Sequence, residues 1–195
     1  MTLDVRVLTG AALDAALDAV AGLRITVFRD WPYIYDGDQD YERAYLQAYR
    51  DSPSAILVGA YDGDRLVGAS TGTPLADHAD DFAVPLANTD LPVRDTYYCA
   101  ESVLLPPYRG QGIGHRFFDL REAHAKSLGF SHSAFCAVIR PASHPLCPAA
   151  YRPLDPFWRA RGYCPLEGAI ARFGWKDVDQ PYETEKPLQF WARRL

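Results

Sequence analysis

The order of residues from Tyr97 to Gly129 constrains this chain more than any other stretch, because it sets three glycines at alternate positions where an apolar strand gives way to a helix. Tyr97-Tyr98-Cys99-Ala100-Glu101-Ser102-Val103-Leu104-Leu105 is aromatic and apolar enough for a mostly buried strand, and Pro106-Pro107 must end it. Tyr108-Arg109-Gly110-Gln111-Gly112-Ile113-Gly114 follows. Ile113, Phe117, Leu120, His124 and Leu128 then recur at spacings of three and four, which predicts a helix with that stripe turned inward, and Gly129 supplies the left-handed residue that closes it. Glycines at a helix start leave the backbone N–H groups uncovered by side chains. Those donors, the positive end of the helix dipole and the Arg109 guanidinium make a site for a diphosphate.

Two familiar phosphate-cradling patterns fail against these letters. A P-loop needs Lys followed by Ser or Thr after its last glycine, and here His115-Arg116 follow Gly114. A dinucleotide fingerprint spaces its glycines G-x-G-x-x-G, whereas this chain reads G-x-G-x-G, and no suitable acid closes a second strand about twenty residues on.

The stretch instead resembles the coenzyme A-binding motif of the GCN5-related N-acetyltransferases, Arg/Gln-x-x-Gly-x-Gly/Ala after an apolar strand. Arg109-Gly110-Gln111-Gly112-Ile113-Gly114 fits every fixed position, and Leu104-Leu105-Pro106-Pro107-Tyr108 is similar to the family's apolar-x-Pro-x-Tyr approach. The resemblance implies an α/β (α+β) fold in one domain over residues 1–195, with a mixed central sheet of about six to seven strands, splayed at the cofactor site and flanked by about four helices. It implies acetyl-CoA as co-substrate, its diphosphate on Arg109, Gly110, Gln111, Gly112, Ile113 and Gly114. The pantetheine arm would lie in the splay, pairing with backbone groups of Val103, Leu104 and Leu105 as an added strand would.

At 195 residues the chain is long enough for one substantial core, and 48% apolar with 23% charged residues describes an ordinary soluble globular domain. The net charge of -5 argues against nucleic acid. Cys99, Cys136, Cys147 and Cys164 show no CxxC spacing, so neither a zinc site nor a redox pair is indicated, and they read as thiols of a reducing compartment. Residues Gly10 to Val20 are alanine-rich, but Asp14 and Asp18 interrupt them and no basic region precedes them, so no signal peptide is expected. No apolar run approaches the ~20 residues of a membrane helix. The expected setting is the cytoplasm.

Leu3, Val5 and Val7 alternate as a first strand, and Leu13 to Val27 mark one face of a long amphipathic helix after Thr9 as N-cap. Phe28 to Asp40 crowds four aromatics and four acids around a proline and a glycine. Loops this aromatic serve as binding surfaces or cap the core, and Trp31, Tyr33 and Tyr35 are candidates for the wall of an acceptor pocket. Gln39 to Arg50 reads as a second helix, and Ala55 to Tyr61 and Arg65 to Thr73 as a hairpin turning at Asp62-Gly63-Asp64. Pro74 to Asp95 is either functional or hides a short helix. Ser131 to Ile139 is a strand parallel to the one that carries Glu101, as a strand-helix-strand crossover requires. A proline-rich excursion then leads to a short helix capped by Asp155, and Ala169 to Trp175 and Pro187 to Arg194 form the last strand pair.

Acetyl transfer from a thioester to an amine needs a neutral amine, and an alkyl ammonium has a pKa of about 10, so a carboxylate base is required near neutral pH. Glu101 is the candidate base, and a carboxylate merely bonded to a neighbouring Ser, Tyr or Arg is its alternative reading. The family's general acid is a Tyr four residues before a Gly-aromatic pair. Here that pair is Gly162-Tyr163 and Trp158 stands at the Tyr position, which leaves Tyr151, Tyr163 or water to protonate the thiolate. Cys99 reads as an inert core thiol, and His124 as a packed core imidazole. Arg24 and Arg29 lie near the aromatic loop and fit an acidic acceptor as well as the rings fit a cationic one. The reading is an acetyl-CoA-dependent N-acetyltransferase acting on a small-molecule or peptide amine by direct attack. It would use no metal, and a homodimer is possible in this family. The alternative is a non-catalytic acyl-CoA-binding or partner-binding module on the same scaffold.

Overall fold

The computed structural model describes residues 3–195, apart from the side chains of residues 79 and 80. The chain runs β1 (Asp4–Leu8), α1 (Gly10–Phe28), α2 (Gln39–Asp51), β2 (Ile56–Asp62), β3 (Arg65–Pro74), α3 (Ala79–Leu86), β4 (Thr96–Tyr98), β5 (Ser102–Leu104), α4 (Ile113–Ser127), β6 (His132–Val138), α5 (Asp155–Ala160), β7 (Cys164–Lys176) and β8 (Glu183–Arg194). The strands form one sheet in the order β1-β2-β3-β4-β6-β8-β7, with β5 paired to β3 beside that path. Only β4 and β6 run parallel; every other pairing is antiparallel. The sheet is mixed, as expected.

Alternation along β2 divides the core. Leu57 packs with Leu13, Leu17 and Val20 of α1 and with Leu46 and Tyr49 of α2. Its neighbours Ile56 and Val58 belong to the cluster formed with Ile113, Phe117 and Phe118 of α4 on the opposite face. A third cluster gathers Leu75, Phe82 and Leu86 against Tyr98 and Phe190. Burying one helix layer on each face of a sheet is the ordinary way for both element types to hide their apolar sides.

The central strand is not continuous. β4 pairs with β6 from Thr96↔His132 to Tyr98↔Ala134, and the Cys99 N–H still donates to the Ala134 carbonyl at 2.8 Å. Beyond that point β5 stays with β3, at Gly68↔Leu104 through Ser70↔Ser102, while β6 continues with β8 to Val138↔Leu188. The two strands part at Cys99–Glu101, and this parting is the splay. Arg121 of α4 ties β3 to the central strand on one side of it: its Nη1 donates to the carbonyls of Thr71 (3.1 Å) and Glu101 (3.0 Å), and its Nη2 to Ser102 Oγ (2.9 Å).

Four expectations change in detail. There are five α-helices among the described residues, since residues 74–95 contain α3 between two 3₁₀ turns. The inward face of α4 is Ile113, Phe117, Phe118, Arg121, Glu122 and Ala125, and Leu128 is 44% exposed. The helical spacing of apolar letters differs from the buried face there because two charged residues, Arg121 and Glu122, are buried by pairing rather than by hydrophobicity. Asp155 is not the cap of α5 but its first residue, with Leu154 at the cap. β7 begins at Cys164, five residues early, because a bulge between Pro165 and Ile170 absorbs the proline and Gly168.

Candidate active site

The turn before α4 takes the form its glycines allow. Gly110 and Gly112 lie at φ +77° and +79°, where a side chain would be strained, and Gly112 is the N-cap of α4. A Cβ at either would meet nothing within 4 Å, so the space above them is open. The Gly110, Gln111 and Gly112 N–H groups donate to no backbone carbonyl, and the first-turn N–H groups of α4 have no intrahelical partner by geometry. Arg109 folds back so that its Nε donates to the Leu104 carbonyl at 3.0 Å, fixing the guanidinium beside the loop. Open space, free donors and a fixed cation suit a diphosphate.

β5 shows an open edge to the splay. The Leu105 N–H donates to Val67 O (3.0 Å) and the Glu101 carbonyl accepts from Thr71 N (3.2 Å), so residues 101, 103 and 105 turn their backbone toward β3. The expectation that Val103 and Leu105 face the gap is therefore corrected. Ser102 and Leu104 face it; which backbone groups of this strand face the gap is set by its pairing with β3, which the letters do not carry.

Glu101 sits where the strands part, and it is 4% exposed. Its Oε2 is 2.8 Å from Arg24 Nη1 of α1 and accepts from the Tyr45 hydroxyl of α2 at 3.5 Å. Arg24 Nε donates in turn to Oε2 of Glu42, which is fully buried. The Arg24 guanidinium lies over the rings of Tyr45 (4.3 Å) and Phe28 (5.0 Å). Oε1 of Glu101 and Oε1 of Glu42 are both buried without a hydrogen-bond partner. Burial works against the Arg24 charge, yet Glu101, then Tyr45 and Glu42, hold its pKa well above the ordinary value. Burial pushes the phenols of Tyr33, Tyr45 and Tyr49 up, so all three stay neutral. Arg24 is thus committed to two carboxylates and is not a receptor for an acidic acceptor, and Arg29 is paired with Asp36 at 3.0 Å.

The aromatic segment is fastened over this cluster. Arg140, just past β6, donates through Nε to Pro32 O (3.0 Å) and through Nη2 to Tyr33 O (2.8 Å), and it grips Asp177 with both Nη atoms at 2.8 Å. Tyr33 packs on Phe28 with ring centroids 4.3 Å apart, and Trp31 meets Tyr151 at 5.9 Å, edge to face. The structure so brings together Trp31 and Tyr33, expected at the acceptor wall, and Tyr151, the candidate acid from a distant segment. Tyr35 is not with them. It is buried, bridges in strand fashion to Asp177, and has its phenol pushed up by burial and then by Glu42. Tyr151 is 36% exposed, and burial followed by Asp155 raises its phenol above the ordinary value.

The remaining candidates are structural. Tyr163 donates to Glu122 Oε1 (3.0 Å) and meets Ser133 Oγ at 2.8 Å, inside the core. Trp158 packs between Phe135 and Trp191 at 5.1 and 5.2 Å. Cys99 is buried against Ser133 Oγ at 3.3 Å, and His124 bonds the Ser54 carbonyl at 3.2 Å. Among the described residues no three His, Cys, Asp or Glu side chains converge as a metal site, and no helix is long and apolar enough to cross a membrane.

A sheet parted beside a glycine turn at a helix start, with a buried carboxylate at the parting, is the architecture of a coenzyme A-dependent acyltransferase. Residues 23–150 match the family described as the acetyltransferase (GNAT) family, and the chain belongs to it. It is an acyltransferase, and acetyl-CoA-dependent acetyl transfer is general to that family. Among solved structures, an N-acetyltransferase from Staphylococcus aureus Mu50 is similar with a TM-score of 0.61 at 10% identity, over 100% of this chain and 99% of that one. A ribosomal-protein-alanine N-acetyltransferase from Brucella melitensis gives 0.60 at 14% identity over 98% and 99% of the two chains. The putative acetyltransferase yncA from Salmonella typhimurium, solved with acetyl-CoA, gives 0.60 at 12% identity over 100% and 95%. At these identities the likeness is one of fold. No curated protein matches the sequence.

Proposed function

We propose that this chain transfers the acetyl group of acetyl-CoA to a primary amine of a small molecule or peptide by direct attack, with Glu101 as general base. The observation that carries the reading is the Glu101 carboxyl itself: it stands between β4 and β5, where the central strand parts from β6, one oxygen held by Arg24 and the other without a partner among the described residues. A carboxylate so placed can take the proton that an ammonium must lose before its nitrogen attacks. The diphosphate would rest on the N–H groups of Gly110 to Gly114 and on Arg109, and Ser102 and Leu104 would pair with the pantetheine arm.

Glu101 takes one proton of the ammonium; the neutral nitrogen then bonds to the thioester carbon as the carbon–sulfur bond breaks, and the second proton it sheds as the amide forms replaces the one that Tyr151 gives up. Tyr151 donates its own proton to the departing thiolate; its half-exposed phenol beside Trp31 supports that role over Tyr163, which is locked in the core. Trp31 and Tyr33 form the acceptor wall, and Tyr35, buried and bridged to Asp177, takes no part in it. We place the enzyme in the cytoplasm on composition.

The test is a panel of primary amines assayed for release of free coenzyme A thiol, with wild type beside Glu101→Gln. The reading expects turnover with at least one amine and a loss of about 100-fold or more in the variant with acetyl-CoA affinity kept. Equal turnover by the two proteins would remove Glu101 from the mechanism.

A further inference from the structure

The pairing of Arg24 with two carboxylates has a role for the reaction that neither the family match nor the glycine motif assigns. We infer that Arg24 is a positioning residue for Glu101, and that Glu42 is the counter-anchor that aligns it. The inference rests on Glu101 being the base.

A carboxylate on a flexible side chain offers either oxygen and several rotamers. Here Arg24 Nη1 holds Oε2 at 2.8 Å, and this leaves Oε1 as the one oxygen with open acceptor capacity. The guanidinium itself cannot swing. Its Nε is bound to Glu42 from the other side, and the rings of Tyr45 and Phe28 confine its plane. Arginine suits this task because its rigid fork can serve two carboxylates in fixed directions, which a lysine ammonium cannot do. Glu42 is on α2 and Arg24 on α1, so the packing of these two helices sets where the Glu101 oxygen lies.

The groups around the Glu101 carboxyl are Arg24 from α1, Tyr45 and Tyr49 from α2 and Tyr33 from the aromatic segment; Cys136 from β6 is close to Tyr33 and Tyr45. On the backbone side Arg121 of α4 meets the Glu101 carbonyl. Burial pushes the three phenols up and the Cys136 thiol to about 12, so these four groups carry no charge near neutral pH. The charges left to bias Glu101 across the side chains are the guanidinium and Glu42.

This predicts opposite effects from the two partners. Arg24→Gln removes a positive charge beside the base, so the acidic limb of kcat/KM moves to higher pH and kcat falls about tenfold or more. Glu42→Gln removes a negative charge from the far side of the guanidinium, so the limb moves to lower pH with a smaller fall in kcat. Acetyl-CoA affinity, measured by calorimetry, is kept in both. In the double variant Arg24→Gln/Glu101→Gln, turnover equals that of Glu101→Gln alone, since positioning has no effect once the base is gone. Packing roles alone would move neither limb, or both in one direction, and that result would overturn the inference. If Arg24→Gln does not fold, Glu42→Gln decides alone by the direction of its limb. Should Glu101→Gln turn over like wild type, the base assignment fails first and the inference with it. Should Glu101→Gln be inactive while Arg24→Gln matches wild type in rate and pH profile, only the positioning role fails.

Discussion

Arg121 shows how much one side chain can settle. A charged residue on the inward face of α4 is costly unless each of its donors is used, and here Nε reaches Phe117 O while the Nη atoms take Thr71 O, Glu101 O and Ser102 Oγ. These acceptors lie on β3 and on the central strand where it parts from β6, so one side chain fixes the backbone at Glu101. Arg121→Met keeps the volume and removes four hydrogen bonds, although the Glu101 carbonyl still accepts from Thr71 N. We expect a loss of about 3 kcal/mol, seen as a melting temperature lower by roughly 6–12 °C; a change within about 2 °C would show these bonds to be dispensable. Tyr151 makes a prediction of another kind. On the proposed mechanism Tyr151→Phe would remove the proton donor while keeping the edge-to-face contact with Trp31, so kcat should fall about 100-fold with the acetyl-CoA KM unchanged. An unchanged kcat would hand the proton to water.

The loop-to-loop clamp belongs to the scale of elements. Arg140 follows β6, Asp177 follows β7, and together they hold the segment that carries Trp31 and Tyr33. Burial raises the Asp177 carboxyl, but Arg140 and then Lys186 outweigh it and hold the group below its ordinary value. A carboxyl lowered in the folded state adds stability that is whole above its unfolded pKa of about 3.9 and is lost as pH falls through the lower folded value. Asp177→Asn should therefore melt below wild type at pH 6, with the gap closing under about pH 4. A gap of constant size from pH 6 to pH 3 would refute this linkage. The same variant should raise the acceptor KM and spare acetyl-CoA binding. None of this clamp was legible in the sequence, because its partners lie in three segments with nothing periodic to link them. What local chemistry dictates was legible: the hairpin at Asp62-Gly63-Asp64, the crossover through α4, and the glycine turn with its left-handed positions. The parting at Cys99–Glu101 was not, since nothing in an apolar run of nine letters distinguishes residues bonded on both edges from those bonded on one. α3 escaped notice as eight residues with Pro85 inside them.

For the molecule as a whole, α1 and α2 cover one face of the sheet and α4 the other, and the parting between β4 and β6 lets the two sides meet at Glu101. In the proposed reaction α1 and α2 would position Glu101 as the base, while the turn before α4 would set the place of the coenzyme. Fold and coenzyme site could be argued from the letters because glycines and strand order are local facts. Arg24 and Glu42 were not identified as partners of Glu101, because a salt bridge across 77 positions of sequence, from Arg24 to Glu101, leaves no local pattern. The central claim is that the turn at Gly110 to Gly114 holds the diphosphate of acetyl-CoA, and calorimetric titration tests it directly. Gly112→Asp adds a negative charge to the turn; any side chain is strained at φ +79°, Asp less than most, and circular dichroism shows whether the variant is folded. The account predicts micromolar binding of acetyl-CoA to the wild type and its loss in the folded Gly112→Asp variant. Equal binding by both proteins would contradict it.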